Sequence, residues 1–233
     1  MSKKILCTIC VRKGSKGLKN KNIKIINNQP LFLITLKQAI KSEYFNKITI
    51  NSDSSLVKKI ANSHNVFFLK RKKKLSGDNV SKIDVIKNSL IETEKKYQCK
   101  FDIIVDLDVT SPLRNVNDIS NAINFFLNSK YKNVVSGSVA KKNPFFNQVI
   151  MNKNKIKIVC KNKRKINSRQ QSPKVFDLNA SIYIWKRENL IKSLNLINKY
   201  TGLYKMSPEK SFDIDSELDF KIVKFILKNK LNK

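Results

Sequence analysis

The chain has 233 residues, with 48 Lys and Arg against 17 Asp and Glu and a net charge of +31. That length suits one α/β domain spanning 1–233, with an excursion at 140–174, and no run of about 18 apolar residues marks a transmembrane helix. Six of the cations are arginine and no aromatic residues interleave the basic runs in a recognised RNA-binding pattern, so the charge reads as general surface that steers small anions, with no nucleic acid and no membrane as partner.

The apolar run Ile5-Leu6-Cys7-Thr8-Ile9-Cys10 begins within four residues of the start, which leaves no room for a leader and makes the cytoplasm the expected location. It reads as a buried strand that delivers VRKGSKGLKNKN, Val11 to Asn22, to one edge of a sheet. Gly14 and Gly17 let the backbone reach positive φ and approach a ligand with its N–H groups, and Ser15 adds a hydroxyl. Arg12, Lys13, Lys16, Lys19 and Lys21 crowd the same loop, and a polyphosphate would offset their repulsion. The residues alone also allow an ordinary solvated turn. Cys7 and Cys10 face opposite sides of a strand, no second CxxC completes a zinc site, and all four cysteines read as small buried hydrophobes. His64, the single histidine, reads as a surface residue.

Pro30 followed by LFLITLKQAIK predicts a crossover helix with Leu31, Ile34, Leu36 and Ile40 at helical spacing. A strand at Lys47 to Asn51, a helix from Leu56 to Asn62 capped within Ser52-Asp53-Ser54-Ser55, and a strand at Val66 to Leu69 continue the alternation. This pattern predicts an α/β fold with a doubly wound, mostly parallel sheet, Rossmann-like, whose ligands sit at the carboxyl ends of the strands. Arg71 and the turn Ser76-Gly77-Asp78-Asn79 lie just past a strand, where a nucleotide would rest. A helix from about Val80 to Lys96 with Ile83, Ile86, Leu90 and Ile91 on one face leads to a central strand, Phe101 to Asp108. Asp106 and Asp108 are two residues apart and leave the same face, so with Arg114 they are expected to face a cleft opposite the basic loop; a simple turn before Pro112 also accounts for Asp108 and Ser111.

A helix beginning near Asp118 and a strand at Asn133 to Val139 follow. Phe145 to Met151 and Ile156 to Cys160 read as a hairpin around Asn152-Lys153-Asn154 that projects from the main sheet and calls for a partner surface. Near the end, Asp213-Ile214-Asp215 precedes a helix bearing Leu218, Ile222, Val223 and Ile226, with Ser216 and Asp219 forming a capping box. Two carboxylates at i and i+2 suit Mg²⁺ held jointly with substrate phosphates, although a helix dipole alone also favours them.

Four segments in order carry a resemblance: Arg12, Gly14, Ser15, Lys16, Gly17, Lys21 and Asn22; Thr110-Ser111-Pro112-Leu113-Arg114; Arg169-Gln170 with the strand through Asn179 and Tyr183; and Asp213-Ile214-Asp215. Over nearly its whole length the chain resembles the acylneuraminate cytidylyltransferases, the CMP-sialic acid synthetase family. The resemblance implies that CTP and a nine-carbon acidic α-keto sugar are joined to a CMP-sugar with release of pyrophosphate. It implies Arg12, Lys21 and Asp215 as catalytic residues and Asp213 and Asp215 as Mg²⁺ ligands. Ser15, Asn22, Arg71, Ser76 and Asp78 would then hold CTP, and Asp108, Ser111, Arg169, Gln170, Asn179 and Tyr183 the sugar, with Arg169 on its carboxylate. The excursion at 140–174 would be a dimerisation arm whose polar tip reaches the neighbouring subunit's site, making a homodimer. Two departures concern the sugar. Asp108-Val109 stands where the family commonly has Gln-Pro, and Asp177-Leu178-Asn179 where many relatives have Arg-Pro-Asn, leaving a legionaminic-type relative of sialic acid as a substrate choice. Two alternatives stay open: another sugar nucleotidyltransferase, such as one using an eight-carbon keto acid, and a noncatalytic basic protein that binds nucleic acid.

Overall fold

The computed structural model describes residues 3–14, 17–77, 79–162 and 164–230. Ser15 and Asp78, both expected at the nucleotide site, lie outside the described residues. In chain order the elements are β1 (Ile5–Val11), β2 (Ile25–Ile26), β3 (Gln29–Pro30), α1 (Leu31–Ser42), β4 (Lys47–Ser52), α2 (Ser55–Ser63), β5 (Phe67–Lys70), α3 (Lys82–Tyr97), β6 (Ile103–Leu107), α4 (Val116–Leu127), β7 (Asn133–Val139), β8 (Val149–Asn152), β9 (Lys155–Ile158), β10 (Phe176–Lys186), α5 (Arg187–Lys192), β11 (Thr201–Lys205) and α6 (Glu217–Lys230).

Seven strands form one sheet in the order β11-β7-β10-β6-β1-β4-β5, and every pairing is parallel except the two made by β10. The chain starts at β1, winds outward through β4 and β5, then crosses back on α3 to lay β6 on the other side of β1. That reversal is a topological switch point, where the loops after two neighbouring strands part and leave a crevice. Residue parity decides what each face receives. Ile5, Cys7, Ile9 and Val11 of β1, with Ile103, Val105 and Leu107 of β6, enter a core shared with α1, α2, α4 and α6. The alternate residues Leu6 and Ile104 pack with Ile83, Ile86 and Leu90 of α3 and Leu190 of α5 on the opposite face. Helices therefore cover both faces, as the alternation of strands and helices predicts.

Several local details differ from the sequence reading. The buried stripe of α1 is Leu31, Phe32, Leu36 and Ala39, and Ile40 is exposed. In α3 Ile91 is exposed, and in α6 Leu218 is exposed while Phe220 takes the core position. Cys7 is buried, but Cys10, Cys99 and Cys160 are only half-buried, and all four are free thiols. No glycine among the described residues has positive φ; Asn20, at φ 55°, makes the left-handed step before the turn at Lys21–Ile23. The edge strand β11 escaped notice because Thr-Gly-Leu-Tyr-Lys is too short and mixed to show alternation. Gly202 has a specific reason to be there, since a Cβ would sit 2.3 Å from the Tyr131 ring.

The hairpin β8–β9 forms as expected, around Lys153 and Asn154 at φ 44° and 61°. Both central residues of a two-residue hairpin loop of the type I′ class require such angles. All eight residues of its strands are exposed, Val149, Ile150, Met151, Ile156 and Ile158 among them.

Candidate active site

The cleft forms beside the switch point, at the carboxyl ends of β1, β5 and β6. Its volume is about 430 Å³, within the range of small-molecule sites. The cationic side chains Arg12, Lys21, Arg71 and Lys82 and the carboxylates Asp108, Asp213 and Asp215 all line it.

The loop after β1 is held at both ends. Lys13 N–H donates to Asp53 Oδ1 at 2.7 Å, and Asn22 Nδ2 donates to the Arg12 carbonyl at 3.0 Å. Asn22 is buried, and its Oδ1 has no hydrogen-bond partner among the described residues. Gly17 is needed for approach rather than for φ, because a Cβ there would lie 2.5 Å from the Asp215 carbonyl oxygen. Lys21 completes the closure: its Nζ donates to the Ile214 carbonyl at 2.5 Å and to Asp215 Oδ1 at 2.9 Å. Residues almost two hundred positions apart in the chain thus meet across one crevice.

The acidic segment is fixed by its central residue. Ile214 is fully buried, its N–H donates to the Thr110 carbonyl at 2.9 Å, and the flanking Asp213 and Asp215 turn to the cleft. Burying an isoleucine contributes about 1.5–3 kcal/mol, which anchors the segment that carries the two carboxylates. Asp219 Oδ2 accepts from the N–H groups of Ser216 at 2.8 Å and Asp215 at 3.2 Å, and Ser216 Oγ accepts from Asp219 N–H, so the expected capping box also braces the acidic segment. Burial, with help from the charges of Asp108 and Asp215, raises the Asp213 carboxyl to about 6, against the Thr110 hydroxyl and Lys21. Asp213 Oδ1 is a buried acceptor without a hydrogen-bond partner. Among the described residues no group of three or more His, Cys, Asp or Glu gathers as a metal cage. Two hard oxygen ligands beside a basic loop fit Mg²⁺ taken up with phosphates and water better than a site built from protein alone.

The wall contributed by β6 is charged on the α3 face. Asp106 is fully buried; its Oδ1 accepts from Thr8 Oγ1 at 2.7 Å and lies 3.5 Å from Cys10 Sγ. Lys82, the first residue of α3, places Nζ 3.1 Å from Asp106 Oδ2, 2.5 Å from Asp108 Oδ2 and 4.3 Å above the Tyr183 ring. Burial would raise the Asp108 carboxyl, but Lys82 and the Thr110 bonds overcome it and hold it below the usual carboxylate range. Burial likewise works against charge on Lys82, and the two carboxylates raise its pKa well above that of an ordinary lysine.

Residues 6–230 match the model of the cytidylyltransferase family. The chain belongs to that family. It is 42% identical over 228 residues to post-translational flagellin modification protein B of Campylobacter coli, covering 97% of this chain and 96% of that one. It is 40% identical over 224 residues to CMP-N,N'-diacetyllegionaminic acid synthase of Campylobacter jejuni, covering 96% and 94%. A CMP:2-keto-3-deoxy-manno-octonic acid synthetase solved with CTP shares the fold, with a TM-score of 0.69 at 13% identity over 97% and 99% of the two chains.

This cytidylyltransferase brings Arg12, Lys21, Asn22, Arg71, Asp108, Asp213 and Asp215 together in the cleft, as the sequence suggested. Arg71 is nonetheless buried and tied down, with Nε donating to Asn51 Oδ1 at 3.0 Å. Tyr183 is buried beneath Lys82. The remaining expected residues lie elsewhere. Ser76 is outside the cleft lining and its Oγ donates to the Lys72 carbonyl at 3.3 Å. Ser111 is fully buried. Arg114, expected at the cleft, is 1% exposed: its guanidinium donates to the Ser181 carbonyl, Thr35 Oγ1 and Gln38 Oε1, bracing the loop from behind. Asn179 is buried, accepting from Ser136 Oγ at 2.6 Å and donating to Ser211 Oγ at 2.9 Å. Arg169 and Gln170 line a separate hollow with Ala140 and Asn143, where Arg169 Nη2 donates to the Ala140 carbonyl at 2.8 Å. Sequence reasoning gave no site role to Lys82, nor to Thr110 beyond its place in the Thr110–Arg114 segment. Neither signals itself locally, because each becomes part of the site only when α3 or the acidic segment docks on the end of β6.

Proposed function

We propose that the protein transfers the cytidylyl group of CTP to a nine-carbon acidic α-keto sugar of the legionaminic or sialic type, releasing pyrophosphate. The observation that carries the reading is the closure of the crevice by Lys21 on Asp215, which puts cations and paired carboxylates around one space. Arg12 and Lys21 neutralise the triphosphate, and backbone N–H groups of the loop after β1 help to position it. Asn22 and Arg71 bind the nucleoside portion. The sugar's anomeric hydroxyl attacks the α-phosphorus in line with the departing pyrophosphate. Asp213 and Asp215 would hold Mg²⁺, which supplies charge neutralisation to the phosphates when bound.

The relatives support the choice of sugar, since one at 40% identity carries the name of a diacetyllegionaminic acid synthase. A homodimer of cytoplasmic protein is part of the proposal. The exposed apolar hairpin β8–β9 supplies the contact surface, and Arg169 and Gln170 serve the sugar site across that interface. No helix among the described residues is long and apolar enough to cross a membrane. Pyrophosphate release is the test, with CTP, UTP, ATP and GTP each offered against sialic, legionaminic, pseudaminic and eight-carbon keto acids. Turnover of CTP with a nine-carbon acid is expected. Activity only with UTP, or only with the eight-carbon acid, would overturn the assignment.

A further inference from the structure

Among the described residues lining the cleft, Lys82 is the one cation that belongs neither to the basic loop nor to the Arg71 segment. It sits in the first turn of α3, where Ser81 Oγ caps the helix by accepting from Ile83 N–H at 3.2 Å. Ile83 fills the core, so the adjacent Lys82 is directed to the end of β6. There its ammonium is engaged by Asp106, Asp108 and the face of Tyr183. Structural stability is a weak explanation for such an arrangement, because desolvating an ion pair costs about as much as the pairing returns.

Acceptor counting gives a better one. Asp108 Oδ1 takes both the N–H and the hydroxyl of Thr110 at 3.1 Å, and Oδ2 takes Lys82. An ionised carboxylate offers about four acceptor positions and no donor, so one position remains on Oδ2, at the cleft wall. Resting on the cytidylyl-transfer reading, we infer that Lys82 is a positioning residue: it fixes Asp108 as an acceptor-only contact, so the sugar must present a hydrogen-bond donor there, a hydroxyl or an acylamino N–H. A sugar bringing an ether or carbonyl oxygen to that spot meets an acceptor and is rejected, the asymmetry expected when a polar contact is left unpaired.

The test compares wild type, Lys82→Met, Lys82→Arg and the double variant Lys82→Met/Asp106→Asn in steady-state pyrophosphate release. CTP is paired with N,N'-diacetyllegionaminic acid and with N-acetylneuraminic acid. The inference expects Lys82→Met to raise the sugar KM about tenfold with less than about a twofold change for CTP, and Lys82→Arg to recover most of the loss. The double variant removes the unpaired buried charge, so it carries the same test should Lys82→Met not fold. Sugar and CTP KM values moving together, or an unchanged sugar KM in a folded variant, would overturn the inference alone. Silence of the wild type with both acids would instead defeat the cytidylyl-transfer reading.

Discussion

The cleft and the arm at 140–174 are built on opposite principles. In the cleft, polar side chains meet partners from distant parts of the same chain: Lys21 meets Asp215, Lys82 meets Asp108, and Arg71 meets Asn51. The arm is local. Its two strands pair only with each other and leave their apolar side chains in solvent. Polar groups closed within one chain indicate a preorganised site, whereas an isolated two-stranded hairpin is at best marginal alone and asks for a surface to cover it.

The largest effect tests the closed region. Lys21→Ala is expected to lower turnover about a thousandfold, the scale of losing one preorganised charge at a reacting centre. The fold should survive, because Gly17 still meets the Asp215 backbone and Ile214 remains buried. Pyrophosphate release beside a thermal melt separates these; an unchanged rate would remove Lys21 from its role. Next comes the open region. Met151→Asp, at a side chain 75% exposed in the single chain, should weaken self-association by about 2 kcal/mol, roughly thirtyfold in Kd. Sedimentation would read this, and a protein monomeric from the start would break the contrast between cleft and arm.

A smaller effect concerns pH. The Asp213 carboxyl lies at about 6 in the fold against 3.8 for an ordinary aspartate, so the metal-free protein gains stability from it below 3.8 and loses that gain as pH rises through about 6. Asp213→Asn has no such loss, so its melting temperature should rise relative to wild type across that interval; parallel curves would contradict the assignment. Smallest is Ala180→Gly. Ala180 lines the cleft at φ 51°, in the irregular stretch of β10 between Leu178 and Tyr183. Relieving left-handed strain should stabilise the protein by about 1 kcal/mol in a denaturant titration.

How much was legible follows the same division. The parity of β1 and β6 could be read directly, because alternation in a buried strand dictates which face each residue takes. Asp213 and Asp215 were legible for the same reason, with Ile214 as the buried residue between them. Arg114 was misplaced because charge suggested solvent, while Ser181 of β10 and Thr35 and Gln38 of α1 converge from two elements distant in sequence to accept from its guanidinium. Gly17 was correctly singled out for the wrong cause: its lack of a Cβ serves a backbone contact with a residue distant in sequence. Lys82 looked like one lysine among many, and only the docking of α3 on β6 distinguishes it.

The central claim is that the basic turn and the acidic pair grip the same triphosphate. Calorimetric titration of CTP, with and without Mg²⁺, into wild type, Lys21→Ala and Asp215→Asn tests it most directly. The account expects Mg²⁺ to tighten CTP binding to wild type, Lys21→Ala to weaken binding with or without the ion, and Asp215→Asn to remove about tenfold of the ion-dependent gain. CTP affinity indifferent to both substitutions would contradict it.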